Sequence, residues 1–461
     1  MKKFLFIYFC FLCNIVMAQN IMKVEQYSFK SSTYNSTRSF RIALPASAYP
    51  GIKYNLLFVL DADYTFDVIA STAVYLQTFD YIPLTAVIAI DYSSPGNRND
   101  VGYDITNNSL DKNGELFYNY INHDLVNEVK RIIPVSGFNT FIGHSYTSSY
   151  LNYHISKNNK NITSYILFSP EEMQHIPSYN TQNQTYVPII RIVTGTDDTE
   201  SRQSFGNNLY KALKEKQYNV RIRNIKADHM SVIPNGITLA LTDLYDNFYN
   251  TDSIYEIIEH SSASIWECFI HINNHNQSYY KQRLPISGSS ISAFLWTAIQ
   301  KDDKESINKL IDYYEDALKD KNSDPNALGV MGDLLCKLGL WRKADYYLQR
   351  CLDGYKKANQ EHETLYWRKV YALNVLPKLG QFKKAWKLLE YGKKIYADDK
   401  AIFSYYQGLL AITNKFRVKA GIEQLKTAMK YPNTLINNFI KPDEAEELLH
   451  KGMVMENIEN Q

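Results

Sequence analysis

Between residues 25 and 250 the chain alternates two kinds of pattern. Short apolar runs stand at Arg38–Leu44, Tyr54–Leu60, Thr85–Ile90, Thr140–Ile142, Ser164–Phe168, Ile189–Val193 and Val220–Ile225. Between and after them, apolar residues recur at helical spacing around Phe66–Tyr75, Leu116–Ile133, Tyr146–Ile155, Ser201–Lys214 and Ile237–Tyr249. Strands that are apolar on both faces and separated by helices predict a mostly parallel sheet, covered on both sides. In such sheets ligands meet the protein at the carboxyl ends of the strands.

From about residue 290 the pattern becomes helical throughout. Lys337-Leu338-Gly339-Leu340-Trp341-Arg342-Lys343-Ala344 recurs 41 residues later as Lys378-Leu379-Gly380-Gln381-Phe382-Lys383-Lys384-Ala385. Gly332, Gly339, Trp341, Ala344 and Leu348 occupy the small and large positions of a helix–turn–helix repeat. Small residues let paired helices approach, and the aromatic at the turn fills the gap between them. The unit resembles a tetratricopeptide repeat, whose period is about 34, with a longer second helix and link. A weaker third copy spans Ala401 to Pro432, and further helices are predicted at Ser292–Ile299 and Lys304–Leu318. Residues 253–290 show no clear period and read as a junction. The expected organisation is a leader (1–18), an α/β unit (19–255), a junction (256–290) and an all-α repeat domain (291–461).

The leader reading rests on Lys2-Lys3, a short apolar run from Phe4 to Met17, and Val16-Met17-Ala18 with small side chains at −3 and −1. That is the grammar of a secretory signal peptide. The run is short of the roughly 20 apolar residues that a membrane span needs, and no later segment qualifies. Leu12 before Cys13 is not the small residue of a lipoprotein signal. An exported protein, periplasmic or secreted, with no transmembrane segment is expected.

Composition narrows the field further. At 461 residues, with 45% hydrophobic and 21% charged, the chain can bury two or three ordinary cores. A net charge of +2 gives no field that favours nucleic acid or an anionic membrane. The 37 tyrosines would suit a carbohydrate-facing surface, but Asn, Lys and Ile are also plentiful, and AT-rich codon usage accounts for all four. Of five cysteines, Cys268, Cys336 and Cys351 lie beyond the leader, an odd number without metal-like spacing. Buried free thiols are expected, with a Cys336–Cys351 disulfide as the alternative.

The densest chemistry is Phe141-Ile142-Gly143-His144-Ser145-Tyr146-Thr147. An apolar strand runs into Gly-x-Ser and then a helix, which is how a nucleophile elbow exposes a serine hydroxyl on a tight turn. Downstream come Gly195-Thr196-Asp197-Asp198 and Asp228-His229-Met230-Ser231. Serine, acid, histidine is the chain order of the α/β-hydrolases, and each group follows a strand end. Ser145 needs an imidazole to take its proton, and His229 then needs a carboxylate behind it, from Asp197 or Asp198. His144 is a poor base for Ser145, since adjacent side chains on a turn diverge. Asp228 reads as a solvated loop carboxylate. The oxyanion would meet the backbone N–H of Tyr146 and a second N–H in Asp61-Ala62-Asp63, from Ala62 or Asp63.

Taken together, these residues resemble the esterase family of secreted α/β-hydrolases that includes siderophore esterases and S-formylglutathione-hydrolase-like enzymes. The resemblance covers about residues 25 to 250. It is carried by Leu57-Phe58-Val59-Leu60-Asp61-Ala62-Asp63, Asn97-Arg98-Asn99-Asp100, Gly143-His144-Ser145, Phe168-Ser169-Pro170 and His229-Met230-Ser231-Val232-Ile233-Pro234. It implies Ser145, Asp198 and His229 as the catalytic triad, with the acid three residues after the glycine, and neither metal nor organic cofactor. Ala62 stands where the family has glycine in the oxyanion loop, and Thr147 stands at the second glycine of Gly-x-Ser-x-Gly. The implied activity is hydrolysis of a small carboxylic ester, such as an acylated sugar or a siderophore, through an acyl-enzyme. Loops Ser93–Gly114 and Glu171–Thr185, with Tyr92, Tyr103, Tyr179 and Tyr186 in or beside them, would shape the pocket. The rival expectation is a weak or inactive hydrolase-fold protein that holds a protein or peptide partner through its repeats.

Overall fold

The structure, a computed structural model, describes residues 22–46, 52–92, 98–104, 109–157, 159–171, 187–321 and 323–459. The expected leader and most of the two pocket-shaping loops, with Tyr179 and Tyr186, lie outside these residues. The chain forms two compact units that meet in sequence at Pro285 and Ile286.

The first unit is built on an eight-stranded sheet. Its strands are β1 (Met22–Ser31), β2 (Ser36–Pro45), β3 (Tyr54–Val59), β4 (Thr85–Ile90), β7 (Val135–His144), β8 (Ser164–Phe168), β9 (Ile189–Gly195) and β10 (Asn219–Ile225). A two-residue hairpin, β5 (Tyr103–Asp104) and β6 (Ser109–Leu110), stands apart from it. The spatial order is β1-β2-β4-β3-β7-β8-β9-β10. β2 is antiparallel to both neighbours, and all strands from β4 to β10 in that order run parallel. With helices on both faces this is the α/β-hydrolase arrangement.

The layering follows from the pleat, which sends alternate residues to opposite faces. Leu56, Phe58, Ile88, Phe141, Tyr165, Leu167 and Ile192 share one core with Phe117, Tyr150, Phe205 and Leu209. Those four come from helices α2 (Lys112–Asn119), α4 (Tyr146–Ser156) and α5 (Glu200–Glu215). On the opposite face helix α6 (Val232–Leu244) comes so close that a Cβ on Gly236 would sit 2.8 Å from Val193. It packs there with helix α1 (Ala62–Thr78). Each large side chain fully buried in these layers contributes roughly 1.5–3 kcal/mol. The expected helix Leu116–Ile133 is α2 and α3 (Val126–Ile132), joined by a π-helical turn at Tyr120–Leu125.

Within and just before residues 253–290, which show no clear period, the chain forms helices α7 (Thr251–His260) and α8 (Ile265–Tyr280). α8 closes the end of the sheet: Tyr280 packs against Phe138, Tyr245 and Phe248. Just beyond it, the buried Gln282 amide bonds the backbone of Lys53 and Leu84. Ending the chain at residue 255 is therefore expected to strip this cover and unfold the first unit, whereas ending it after Pro285 keeps the unit folded. Urea unfolding of the two truncations, followed by tyrosine fluorescence, checks this; equal stability would contradict it.

The second unit is all helical. Pro325–Lys337 pairs with Trp341–Lys357, and Lys400–Thr413 pairs with Val418–Met429. Between them, Leu365–Val370 and a π-helical turn lead to Phe382–Ile395. Gly339 and Gly380 end the first helices of successive hairpins at φ +76° and +69°, a backbone that glycine adopts without strain. A Cβ on Gly332 would lie 2.7 Å from Leu348, and one on Gly408 2.4 Å from Leu425, so both helix pairs depend on a missing side chain. Cys268, Cys336 and Cys351 are free and buried, and burial raises the Cys336 thiol to about 11. Among the described residues no helix is long and apolar enough to cross a membrane.

Candidate active site

Ser145 sits at the junction of β7 and α4 with φ +58° and ψ −119°, a strained backbone for a residue with a side chain. Gly143 permits the turn: a Cβ there would lie 2.8 Å from the Ser148 nitrogen and the Thr147 carbonyl carbon. The Ser145 N–H donates to the Phe168 carbonyl at 2.9 Å, and the Ser148 hydroxyl donates to the carbonyls of Gly143 and Phe168. These bonds clamp the elbow to the end of β8.

Asp198 and His229 lie beyond the ends of β9 and β10. Nδ1 of His229 is 2.9 Å from Oδ2 of Asp198, whose side chain is almost fully buried. Burial alone would raise the Asp198 carboxyl, but hydrogen bonds from His229 and the Thr199 N–H hold it below its ordinary value. Asp197 turns away to Lys226 at 2.8 Å. Asp228 caps the histidine loop, accepting from the N–H groups of Met230 and Ser231 and from the Ser231 hydroxyl. A Cβ on Gly195 would strike the Ala227 carbonyl at 2.2 Å, so only glycine lets the acid loop and the histidine loop meet.

The Ser145 hydroxyl donates to Oε1 of Glu171 at 3.2 Å. Among the described residues it makes no hydrogen bond to His229, and Nε2 of His229 has no hydrogen-bond partner. Arg202 reaches Glu171 at 3.4 Å and Asp198 at 3.5 Å. Neither Glu171 nor Arg202 carries a local motif. Each acquires its place only through contacts between segments distant in sequence.

Behind the elbow lies a buried polar relay. Val59 pairs with Ile142 in the sheet register, which sets Asp61 level with His144. The Asp61 carboxylate accepts from Arg98 at 2.9 Å, from the His144 N–H at 3.3 Å and from the Thr147 hydroxyl. Burial raises this carboxyl, and the Arg98 charge opposes the rise. Thr147, in place of the expected glycine, is thus tied into the turn: its oxygen also accepts from the His144 N–H at 2.8 Å. His144 Nε2 donates to the His229 carbonyl at 2.8 Å, and its Nδ1 accepts from the Tyr64 hydroxyl at 3.2 Å. The two imidazoles lie 4.6 Å apart. His144 therefore holds the histidine loop beside the serine through the backbone.

Two N–H groups stand at helix starts here. Tyr146 and Ala62 open helices α4 and α1, and their N–H groups find no acceptor among the described residues. Helix N-termini favour negative charge. The Tyr146 ring stacks on Tyr103 at 4.6 Å.

Burial lowers His144 to about 4 and His154 to about 3, so both are neutral in the fold at pH 7. An unfolded histidine takes up its proton near 6.5. Between about pH 4 and 6.5 the unfolded chain then binds more protons, and stability falls as pH is lowered through that window. The urea midpoint is expected to drop from pH 7.5 to 4.5, and His154→Gln to narrow the difference. An unchanged difference would contradict this account.

No family profile and no curated protein matches the chain. Among solved structures it is similar to an uncharacterised protein from Capnocytophaga ochracea, with a TM-score of 0.51 and 16% identity over 71% of this chain and 93% of that one. An IroE-like serine hydrolase from Shewanella oneidensis gives a TM-score of 0.48 and 15% identity, over 62% of this chain and 98% of that one. At 16% identity the first likeness is one of fold.

Proposed function

We propose that the protein is an exported serine esterase, with Ser145 as nucleophile, His229 as base and Asp198 as the acid that orients it. The reading rests on one observation above the rest: the 2.9 Å Asp198–His229 pair beside a serine on a positive-φ elbow. Residues 1–18 would be its cleaved leader, and a small carboxylic ester its substrate.

For catalysis the Ser145 hydroxyl leaves Glu171 and turns to Nε2 of His229. Hydrogen bonds of this kind are often long or misaligned before substrate binds. Oγ then attacks the ester carbonyl as its proton passes to Nε2, and the charge that forms on the ring is stabilised by Asp198. The N–H groups of Tyr146 and of Ala62 or Asp63 would hold the tetrahedral oxyanion, each worth about 2.7–4 kcal/mol in known cases. Collapse expels the alcohol, protonated by His229, and leaves an acyl group on Ser145. Water, activated by the same imidazole, releases the acid.

The test is a pre-steady-state burst with p-nitrophenyl acetate: one p-nitrophenol per protein, followed by slower turnover. Release without a burst at saturating ester, together with no acyl adduct in the quenched protein, would count against it. Asp198→Asn is expected to lower kcat by about 10³–10⁴-fold, since the neutral side chain no longer stabilises the imidazolium. A loss under tenfold would remove Asp198 from the mechanism.

A further inference from the structure

The Glu171 carboxylate is the strongest acceptor beside the proposed nucleophile, and the triad has no use for it. Three contacts hold it there. Its Oε1 accepts the Ser145 hydroxyl at 3.2 Å, Arg202 lies 3.4 Å from the same oxygen, and its backbone carbonyl accepts the Ser149 hydroxyl at 3.0 Å. Arg202 is shared with Asp198, so one guanidinium faces two carboxylates and leaves negative charge over. The Glu171 side chain remains a third exposed. Next to it stands the Tyr103–Tyr146 stack, rings 4.6 Å apart and 24° from parallel. After burial, the Glu171 charge is among the causes that raise both phenols.

A carboxylate with residual charge beside two aromatic rings is a recognition surface for an ammonium group. The carboxylate attracts it by charge, and the ring faces attract it through their quadrupole. We infer that Glu171, with Tyr103 and Tyr146, selects esters that carry a cationic ammonium group near the scissile bond. A cation seated there competes with the Ser145 hydroxyl for the carboxylate and releases that hydroxyl to His229. The charge that makes the site selective thus also holds the serine until a matching substrate arrives. An anionic group in the same place meets Glu171 and is disfavoured. This rests on Ser145 being the nucleophile.

Three p-nitrophenyl esters with the same three-methylene spacer separate the possibilities: 4-(trimethylammonio)butyrate, its neutral isostere 5,5-dimethylhexanoate, and the anionic glutarate. The wild-type protein should favour the cationic over the neutral ester by about tenfold in kcat/KM, the size expected from a desolvated cation–aromatic contact with a nearby carboxylate. The anionic ester should be the poorest of the three. In Glu171→Gln the cationic-to-neutral ratio should fall to within about twofold of unity, as the charge is lost while the shape is kept. No cationic preference in the wild type, or a preference that Glu171→Gln leaves intact, overturns the inference.

A binding arm separates this result from failure of the esterase reading. Calorimetric titration of the Ser145→Ala protein with 4-(trimethylammonio)butyrate and with 5,5-dimethylhexanoate needs no bond cleavage. Tighter binding of the ammonium acid, lost when Glu171→Gln is added, supports the inference even if no ester is hydrolysed. Equal binding of the two, or no binding of either, overturns it.

Discussion

Replacing Ser145 by alanine is expected to lower kcat for ester hydrolysis by about 10⁴–10⁶-fold, the range seen when a triad serine is removed. The reason is chemical. Without Oγ no acyl-enzyme can form, and only the N–H groups at the helix ends and general binding remain to assist water. The fold should survive. The elbow is held by Gly143, by the Ser145 N–H on the Phe168 carbonyl and by the Ser148 hydroxyl, none of which needs Oγ. Circular dichroism and a urea midpoint close to the parent's should accompany the loss of rate. A variant that keeps a tenth of the parent activity would remove Ser145 from the chemistry.

Asp61→Ala should be the most damaging single change to the elbow's stability. This carboxylate is 2% exposed and serves Arg98, the His144 N–H and the Thr147 hydroxyl together. Its removal strands a guanidinium and weakens two buried donors, each costing about 1–3 kcal/mol when left unmet. A total loss near 3 kcal/mol is expected, because Arg98 keeps partial access to water and Thr147 still accepts from His144. Activity should fall as well, since the same relay reaches the His229 carbonyl through His144. Chemical unfolding of the variant checks the first expectation, and kcat at a temperature where it remains folded checks the second. A destabilisation under 1 kcal/mol would show that the relay is not structural.

How much of this could be read from the chain depended on how local each signal was. Short runs such as Tyr54–Val59 and Ser164–Phe168 are apolar on both faces and announce buried parallel strands. β1 went unread because it is an edge strand, alternately exposed, with polar residues over half its length. β7 was read only from Thr140, although it begins at Val135. Gly137, at φ +96°, and a register shift opposite Tyr54 and Leu56 interrupt its pattern. α8 was hidden for another reason. Its buried face runs Ile265, Cys268, Phe269, Ile272, Asn273, Asn276, Tyr280, and the two asparagines break the apolar period. Asn273 is used for the Leu284 N–H, and Asn276 for both backbone groups of Tyr249.

The site divides the same way. Ser145, Asp198 and His229 are marked by glycines at strand ends, Gly143 and Gly195, whose absent Cβ atoms make room for other loops. Glu171 and Arg202 have no such marker. Their roles arise from a meeting of segments 31 residues apart in the chain, which no spacing rule encodes. Thr147 illustrates the opposite case: a departure from the expected glycine that a distant carboxylate, Asp61, absorbs.

The most direct test of the account is to treat the full-length folded protein with a fluorophosphonate and map the adduct by peptide mass spectrometry. The label should fall on Ser145, slow markedly in His229→Ala, and vanish in Ser145→Ala. No adduct on the folded parent protein, or an adduct that persists equally in Ser145→Ala, would contradict it.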